Sequence, residues 1–212
     1  MTTPGQRLLV ATRNPGKLAE LRELAARWRV VPVDLEGAGV AYSPDEERLE
    51  VHPTFEANAL AKARYYHRAS GGLPTLADDS GLEVQALGGA PGVHSRRWAG
   101  ANGDERAVAA ANNAALLQRL ASAPDRSARF TCVVAYVDAS DAFTCRGVVT
   151  GRIARSPRGR NGFGYDPLFE VDELDGRTFG EVGRDEKQRV SHRARAFRST
   201  FERLARSAPA GS

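Results

Sequence analysis

The sequence predicts an α/β fold, and two patterns carry that prediction. Near the start, a short apolar run (8–11), a helical repeat of leucines (16–29) and a second apolar run (30–33) follow one another. This strand–helix–strand order is typical of a βαβ unit, in which a right-handed crossover joins two parallel strands. Further on, two apolar runs (130–137 and 142–149) flank a short polar turn, which predicts an antiparallel hairpin.

Three further helices are predicted where apolar residues recur at helical spacing, over 54–69, 104–121 and 191–207. In the first of these, Thr54 is placed to cap the N-terminus, and Glu56 falls in the first turn, where negative charge is favourable. The last helix is rich in arginine. The residues after it, Ala208 to Ser212, are predicted to form a frayed tail.

The segments between these elements are polar or rich in glycine. Asp78-Asp79-Ser80-Gly81 predicts a turn between the apolar pair 76–77 and a short strand over 82–84. Long loops are predicted over 86–103 and 152–164, and compact domains tend to place functional residues in such loops.

Composition indicates a soluble globular protein. Of its 212 residues, 42% are hydrophobic and 26% are charged, and with no repeat or long linker we expect a single domain over 1–212, or two closely packed lobes. The net charge of +4 suits an anionic small molecule or nucleic acid without proving either. No signal peptide or membrane-spanning stretch is predicted, so we expect a cytoplasmic protein with no membrane partner. Cys132 and Cys145 lack metal-ligand spacing and are predicted to be buried free thiols.

Lysine is rare in this chain. Of the 30 basic residues 27 are arginines, and the three lysines, Lys17, Lys62 and Lys187, each lie in a motif-like segment. An ammonium is a compact charge that can approach one phosphate oxygen, whereas the planar guanidinium needs more room and a fixed angle. Two interpretations are open: the lysines converge on a phosphate-bearing ligand, or arginine-rich codon usage left three lysines by chance.

The segment Thr12-Arg13-Asn14-Pro15-Gly16-Lys17 places a strand end, a tight turn and a predicted helix N-terminus together. Such a junction directs backbone N–H groups and the positive end of a helix dipole at one point, which favours an anion. Its glycine spacing is not that of a Walker A loop. The alternative is an ordinary turn with Asn14 as the helix cap.

Two adjacent carboxylates, Asp78 and Asp79, follow an apolar strand. Carboxylate oxygens suit Mg²⁺, which commonly takes one or two of them together with waters and substrate phosphates. The alternative is a surface turn. The acidic, turn-rich stretch 45–50 could supply a second carboxylate, or it could be a solvated charged loop.

Two later segments favour recognition of a base. Residues 159–167 combine flexible glycines with Phe163, which could stack on a flat base. Ser191-His192-Arg193 opens the last helix, and an imidazole beside a guanidinium makes a donor-rich edge suited to a keto oxygen. The alternative for the second segment is a basic helix start exposed to water.

Taken together, these segments resemble the inosine/xanthosine triphosphate pyrophosphatase family, whose members remove deaminated purine nucleotides. The resembling segments occur in the family's order and are 10–17, 54–63, 77–82, 87–93, 161–167 and 191–193. The resemblance implies an elongated two-lobed α/β structure, with a central mixed twisted sheet, flanking helices and a nucleotide cleft between the lobes. It also implies a homodimer, an Mg²⁺ cofactor and hydrolysis of ITP, dITP and XTP to the monophosphate and pyrophosphate.

The resemblance implies the following site residues. The triphosphate would be bound by Thr12, Arg13, Asn14, Pro15, Gly16 and Lys17, with Lys62 and Lys187 adding charge. Mg²⁺ would be held by Glu50 and Asp79, with Asp79 also the proton acceptor and Ser80 touching substrate. The base and sugar would be bound by Phe163, Gly164, Tyr165 and Asp166, with His192 and Arg193 at the purine 6-oxo edge.

This sequence departs from the family pattern in three places. Residues 148–152 lack the Trp-Pro often seen before the equivalent glycine, and Asn161 stands where a glycine is common. Glu50 lies in an atypical context, Leu49-Glu50-Val51-His52-Pro53.

Two other functions stay open. One is a related pyrophosphatase for modified pyrimidine or 7-methylguanine nucleotides. The other is a non-catalytic basic protein that binds nucleic acid, which a strongly salt-dependent affinity for DNA without phosphate release would identify. We predict a purine nucleoside triphosphate as the substrate and no nucleic-acid partner.

Overall fold

The computed structural model describes residues 5–28 and 30–207, which contain six strands and five α-helices. The strands are β1 (Gln6–Val10), β2 (Val30–Val33), β3 (Thr75–Val84), β4 (Ser127–Val137), β5 (Ala142–Ile153) and β6 (Phe169–Val171). The α-helices are α1 (Pro15–Ala25), α2 (Phe55–Ala69), α3 (Glu105–Arg119), α4 (Arg184–Val190) and α5 (His192–Ser207). Short 3₁₀ helices cover Pro44–Arg48, Gln85–Leu87, Gly92–Arg97 and Asp172–Leu174.

The six strands form one mixed sheet in the order β2-β1-β3-β4-β5-β6. Strand β1 pairs in parallel with β2, with Leu8 opposite Pro32, and in parallel with β3, with Leu9 opposite Thr75. At the other end β5 and β6 are antiparallel, with Arg152 opposite Glu170. The α/β class and the opening βαβ unit are therefore confirmed.

Capping residues begin three of the helices. The side chains of Asn14, Thr54 and Asp104 accept hydrogen bonds from the backbone N–H three residues on, at the starts of α1, α2 and α3. These bonds satisfy N–H groups that have no partner within a helix. The predicted cap at Thr54 is confirmed.

The chain divides into two compact units. The first unit contains the described residues up to Asp79, Cys132–Gly147 and the described residues from Arg193 onward. Its core packs α1 and α5 against strands β1, β3 and β4, with Leu8, Leu21, Leu76, Val134 and Phe197 buried.

The second unit contains Ser80–Thr131 and Val148–His192. Its core is built around the aromatic rings of Phe130, Phe169 and Phe179, and also buries Leu82 and Leu116. The ring centres of Phe130 and Phe169 are 4.6 Å apart, and those of Phe169 and Phe179 are 5.7 Å apart, so the rings are in contact.

The predicted turn at Asp78–Gly81 is wrong, because these residues lie inside the ten-residue strand β3. The local turn preference of Asp, Ser and Gly is overridden because β3 lies inside the sheet, between β1 and β4. Strand β1 pairs with β3 only at Thr75 and Leu76, and the backbone carbonyl of Asp78 accepts from Lys62. Hydrogen bonds from neighbouring side chains satisfy both carboxylates, as described below.

Other boundaries also differ from the predictions. Helix α1 ends at Ala25 rather than extending to residue 29, which is outside the described residues. The predicted loop over 86–103 contains two 3₁₀ stretches. The side chain of Asn112 binds the backbone of Ser95, Arg96 and Ala99, in and just after the second stretch. Strand β6 and helix α4 were not predicted. The predicted tail at 208–212 also lies outside the described residues.

Of the two free cysteines, Cys132 is buried as predicted, whereas Cys145 is only partly buried. Within the described ranges, every helix is too short or too polar to cross a membrane.

Candidate active site

Strand β3 carries two buried carboxylates, Asp78 and Asp79, which are 4% and 5% exposed. One oxygen of Asp78 accepts a hydrogen bond from the ammonium of Lys17 at 2.9 Å. The Nε atom of Arg193, at the start of α5, donates to the same oxygen at 3.5 Å. Burying a carboxylate is costly unless it is paired, so the two cations are what allows Asp78 to stay ionised inside the first unit.

Lys17 is positioned by the turn that begins α1. The Asn14 side chain accepts from the backbone N–H of Lys17 at 2.9 Å, and the backbone N–H of Asn14 donates to the Thr12 hydroxyl at 3.1 Å. Pro15 occupies the first turn, where its missing N–H costs nothing. The turn thus has both features proposed for it: Asn14 caps the helix, and Lys17 lies at the positive end of its dipole.

Helix α2 supplies the next contacts from two side chains four residues apart on one face. Asn58 donates to Asp79 Oδ2 at 2.9 Å and accepts from the backbone N–H of His52 at 2.8 Å. Lys62 forms an ion pair with Glu50 and donates to the backbone carbonyl of Asp78 at 2.6 Å. Helix α2 therefore joins β3 to the segment that carries Glu50.

We call Lys17, Glu50, Lys62, Asp78 and Asp79 the carboxylate–lysine network. Burial alone would raise the pKa of Asp78, but the charges of Lys17, Arg193 and Lys62 hold it well below its usual value. Burial would likewise raise the pKa of Glu50, yet Lys62 and Lys17 lower it overall. Both carboxylates are therefore ionised at neutral pH.

Asp79 behaves differently from its neighbours in the network. Burial raises its pKa, and the negative charge of Glu50 adds to that rise, although Lys62 and the hydrogen bond from Asn58 oppose it. For Lys62, burial lowers the pKa, but the charges of Glu50, Asp78 and Asp79 outweigh burial and raise it. Asp79 is thus the more basic of the two aspartates and the better proton acceptor.

A metal ion fits this donor set. Glu50 and Asp79 are bound by Lys62 and Asn58, which lie one turn apart on α2, and the charge of Glu50 raises the pKa of Asp79. In residues 5–28 and 30–207, no group of three or more His, Cys, Asp or Glu side chains is arranged to hold a metal. Two carboxylates completed by water and phosphate oxygens suit Mg²⁺, which rarely uses an all-protein cage.

Two predicted substrate-binding arginines make protein contacts. Arg13 donates to both carboxylate oxygens of Glu46, at 3.0 and 2.7 Å. Arg193 is 3% exposed and is ion-paired with Glu20 of α1 as well as with Asp78. The alternative of a solvent-exposed basic helix start is wrong, because Ser191 and His192 are also buried, each 4% exposed.

The second unit contains another buried ammonium group, that of Lys187, and we call the residues around it the Lys187 site. The ammonium of Lys187 donates to Asp166 Oδ2 at 2.7 Å and lies 4.7 Å from the Phe163 ring centre and 5.4 Å from that of Phe179. Lys187 is 5% exposed, so a buried carboxylate and two ring faces replace water around its charge. Asp166 also accepts from the backbone N–H of Phe163 at 2.8 Å.

The glycine before Phe163 makes the Lys187 site possible. Gly162 has a φ of +74°, and a Cβ atom there would lie 2.0 Å from Asp166 Oδ2. Only glycine gives both the backbone conformation and the space. Asn161, which departs from the family pattern, donates from its side chain to the carbonyl of Val182 at 3.0 Å.

The other predicted residues of the second unit are placed as follows. The hydroxyl of Tyr165 donates to the backbone carbonyl of Ser95 at 2.9 Å, and the carbonyl of Gly164 accepts from Asn113 at 3.1 Å. His192 stacks on Phe130 with ring centres 4.7 Å apart. Ser80 lies in β3 and is partly exposed.

The structure thus brings together Lys17, Glu50, Lys62 and Asp79 in the first unit, whereas Lys187 belongs to the second. Sequence reasoning missed the roles of Asn58, Glu20 and Glu46. Asn58 could have been found, because it lies one helical turn before Lys62 in a segment already singled out. Nothing in the sequence links Glu20 to Arg193, which is far from it along the chain.

Residues 8–203 match the Ham1 family. The chain belongs to the Ham1 family. A protein called dITP/XTP pyrophosphatase from Mycolicibacterium paratuberculosis is 49% identical over 204 residues, covering 94% of this chain and 97% of the relative. One of the same name from Ralstonia nicotianae is 45% identical over 202 residues, covering 94% and 96%.

Solved structures agree with this assignment to the Ham1 family. A HAM1 protein from Coxiella burnetii superposes with a TM-score of 0.81 at 38% identity, covering 95% of this chain and 99% of that one. The Staphylococcus aureus Ham1 protein gives a TM-score of 0.80 at 32% identity, with 94% and 98% covered. The predicted family resemblance is confirmed.

Proposed function

We propose that this Ham1-family protein is an Mg²⁺-dependent nucleoside triphosphate pyrophosphatase. It hydrolyses ITP, dITP and XTP to the monophosphate and pyrophosphate, removing deaminated purines from the nucleotide pool. Its relatives from Mycolicibacterium paratuberculosis and Ralstonia nicotianae are named dITP/XTP pyrophosphatase, which supports the substrate class.

One observation carries the proposal: the carboxylate–lysine network places two ammonium groups beside two carboxylates that suit a divalent cation. Lys17 and Lys62 both contact Asp78, one at its side chain and the other at its backbone carbonyl. Glu50 and Asp79 are held by Lys62 and Asn58. A triphosphate with its Mg²⁺ needs both kinds of partner, cations for phosphate oxygens and carboxylates for the metal.

The network supports a direct hydrolysis. A water oxygen attacks the α-phosphorus, the bond from that phosphorus to the bridging oxygen breaks, and pyrophosphate leaves with that oxygen. Asp79 accepts the water proton. Lys17 and Lys62 offset the charge that develops on the leaving pyrophosphate. Mg²⁺ held by Glu50 and Asp79 would supply charge neutralisation of the triphosphate.

The remaining predicted residues are assigned to substrate recognition. The turn from Thr12 to Lys17, including Arg13, Asn14, Pro15 and Gly16, binds phosphate. Lys187 adds charge, and Ser80 contacts the substrate. The base and sugar are bound by Phe163, Gly164, Tyr165 and Asp166. His192 and Arg193 donate to the 6-oxo group, where adenine would present amino donors instead.

The protein acts as a homodimer in the cytoplasm, by analogy with the resembling family. Closed twofold dimers are the commonest soluble oligomers. Light scattering coupled to size-exclusion chromatography measures the mass in solution. A mass of one chain across the working concentration range would overturn the dimer.

The function is tested by pyrophosphate release from ITP, dITP, XTP, GTP and ATP, with Mg²⁺ and with excess EDTA. We expect release from the first three, weak release from GTP and ATP, and loss of activity with EDTA. Preferential cleavage of modified pyrimidine or 7-methylguanine nucleotides would show that these, and not deaminated purines, are the substrates. No release from any nucleotide would overturn the enzyme assignment.

A further inference from the structure

Arg13 and Glu46 form a fork-shaped ion pair in the first unit. Arg13 Nε and Nη2 each donate to a different oxygen of Glu46, and Nη2 also reaches the Val40 carbonyl at 3.3 Å. Paired bonds of this kind fix both distance and orientation. The pair therefore joins the Thr12–Lys17 turn to the 3₁₀ helix Pro44–Arg48, which lies 33 residues further along the chain.

Glu46 is held by more than Arg13. It accepts from the backbone N–H of Ser43 at 3.2 Å in a capping box that starts the 3₁₀ helix. The Glu46 carboxylate, together with burial, also raises the pKa of Tyr66 in α2, so the two side chains are neighbours. The Glu46 side chain is only 8% exposed, compared with 39% for Arg13. The Thr12–Lys17 turn and the 3₁₀ helix thus meet at one nearly buried carboxylate.

Helix α2 repeats this arrangement along one face. Asn58, Lys62 and Tyr66 follow at intervals of four residues, which places them on the same side of the helix. Asn58 binds Asp79 and Lys62 binds Glu50, and the charge of Glu46 acts on Tyr66. Glu50 is therefore anchored to α2, and Glu46, four residues before it, contacts the phosphate turn through Arg13.

We propose that Glu46, paired with Arg13, is a positioning residue that holds the Glu50 carboxylate and the Thr12–Lys17 turn in register for an Mg²⁺–triphosphate. This inference rests on the proposed function, since it concerns how that site is assembled. It changes the expectation for Arg13, whose side chain acts through Glu46 rather than by direct contact with phosphate. Small misplacements of catalytic groups are costly, about 10²-fold in rate for about 1 Å.

The test uses Glu46→Gln, Arg13→Gln and the double variant. Glutamine can still accept from the backbone N–H of Ser43, so Glu46→Gln removes the charged pairing and keeps the capping bond. Glu47→Gln is the matched control, because it makes the same substitution one residue further on, at an exposed side chain. Thermal unfolding midpoints within about 4 °C of wild type would show that all four variants fold.

The main readout is the Mg²⁺ dependence of ITP hydrolysis. We expect Glu46→Gln and Arg13→Gln each to raise the Mg²⁺ concentration for half-maximal rate about 10-fold, with a smaller fall in kcat at saturating Mg²⁺. The double variant should resemble the single variants, because either substitution already breaks the pair. Glu47→Gln should match wild type.

Hydrogen exchange of the nucleotide-free protein gives a second readout that needs no activity. Backbone amides of residues 49–52 should exchange faster in Glu46→Gln than in Glu47→Gln, because Glu50 loses the anchoring of its segment. If Glu46→Gln matches Glu47→Gln in both readouts while wild type releases pyrophosphate, the positioning role is wrong and the proposed function stands.

A different pattern would identify direct phosphate binding by Arg13. Arg13→Gln would then raise the KM for ITP at saturating Mg²⁺, Glu46→Gln would not reproduce the effect, and the positioning role would be overturned. Absence of pyrophosphate release from the wild-type protein would overturn the proposed function and this inference with it.

Discussion

The two units surround their lysines differently. In the first unit, the partly buried Lys17 and Lys62 lie in a network with Glu50, Asp78 and Asp79, where each charge contacts or influences several others. In the second, the buried Lys187 is paired with the Asp166 carboxylate and covered by aromatic rings.

This difference predicts how far the effect of a substitution extends to neighbouring residues. Within the network, the pKa of each carboxylate depends on several neighbours, so a change at one position alters the protonation of others. At the Lys187 site, the ammonium is surrounded by the Asp166 carboxylate and aromatic rings, so the effects of a change should stay local.

The largest expected effect is on catalysis in the network. Asp79→Asn should lower kcat about 10²- to 10⁴-fold, because an amide cannot accept a proton or balance the charge of Mg²⁺. The fold should persist, since an amide oxygen can still accept from Asn58. Steady-state kinetics and circular dichroism measure the two effects. Near wild-type turnover of Asp79→Asn at saturating Mg²⁺ would show that Asp79 takes no part in the chemistry.

Asp78→Asn should instead act on stability. It removes the counter-ion shared by Lys17 and Arg193, and breaking a buried ion pair costs about 3–5 kcal/mol. Urea unfolding measures this loss, with the exposed Asp45→Asn as a control expected within about 0.5 kcal/mol of wild type.

The same variant tests a pH dependence. The folded protein holds the pKa of Asp78 below its unfolded value, so the stabilisation is present above about pH 4 and is lost as the pH falls further. Wild type should therefore lose stability below that pH more steeply than Asp78→Asn. Parallel curves would mean that Asp78 is not the group that titrates.

Lys17→Arg tests whether the network needs a compact charge. We expect kcat/KM for ITP to fall about 10²-fold, because the guanidinium preserves the charge but displaces it. The reverse exchange Arg22→Lys, at an exposed position of the same helix, should have little effect. Full activity of Lys17→Arg would favour codon usage as the explanation for the rarity of lysine.

The smallest effect is expected at the Lys187 site. Gly162→Ala should destabilise the protein by about 1–3 kcal/mol, because the new Cβ would clash with Asp166 at a positive φ. Gly164→Ala is a matched control: it also has a positive φ, of +60°, but a Cβ there meets nothing within 4 Å. Unfolding free energies should therefore separate the two variants. Equal losses would show that backbone strain, and not the position of Asp166, controls this site.

The sequence by itself determined the α/β class, the opening βαβ unit, the caps of the first helices and the family. These features depend on local periodicity, on capping chemistry and on motifs whose order can be read along the chain. For the same reason it singled out Asp78, Asp79 and the three lysines.

Only the tertiary structure decided how those residues are used. It made Asp78–Gly81 part of the long strand β3 rather than a turn, because β3 lies inside the sheet and its position there outweighs local turn preference. It also paired Arg13 with Glu46 and Arg193 with Glu20, which lie 33 and 173 residues away along the chain. A buried charge takes whichever opposite charge the fold brings near it, and that choice depends on long-range packing that no local pattern records.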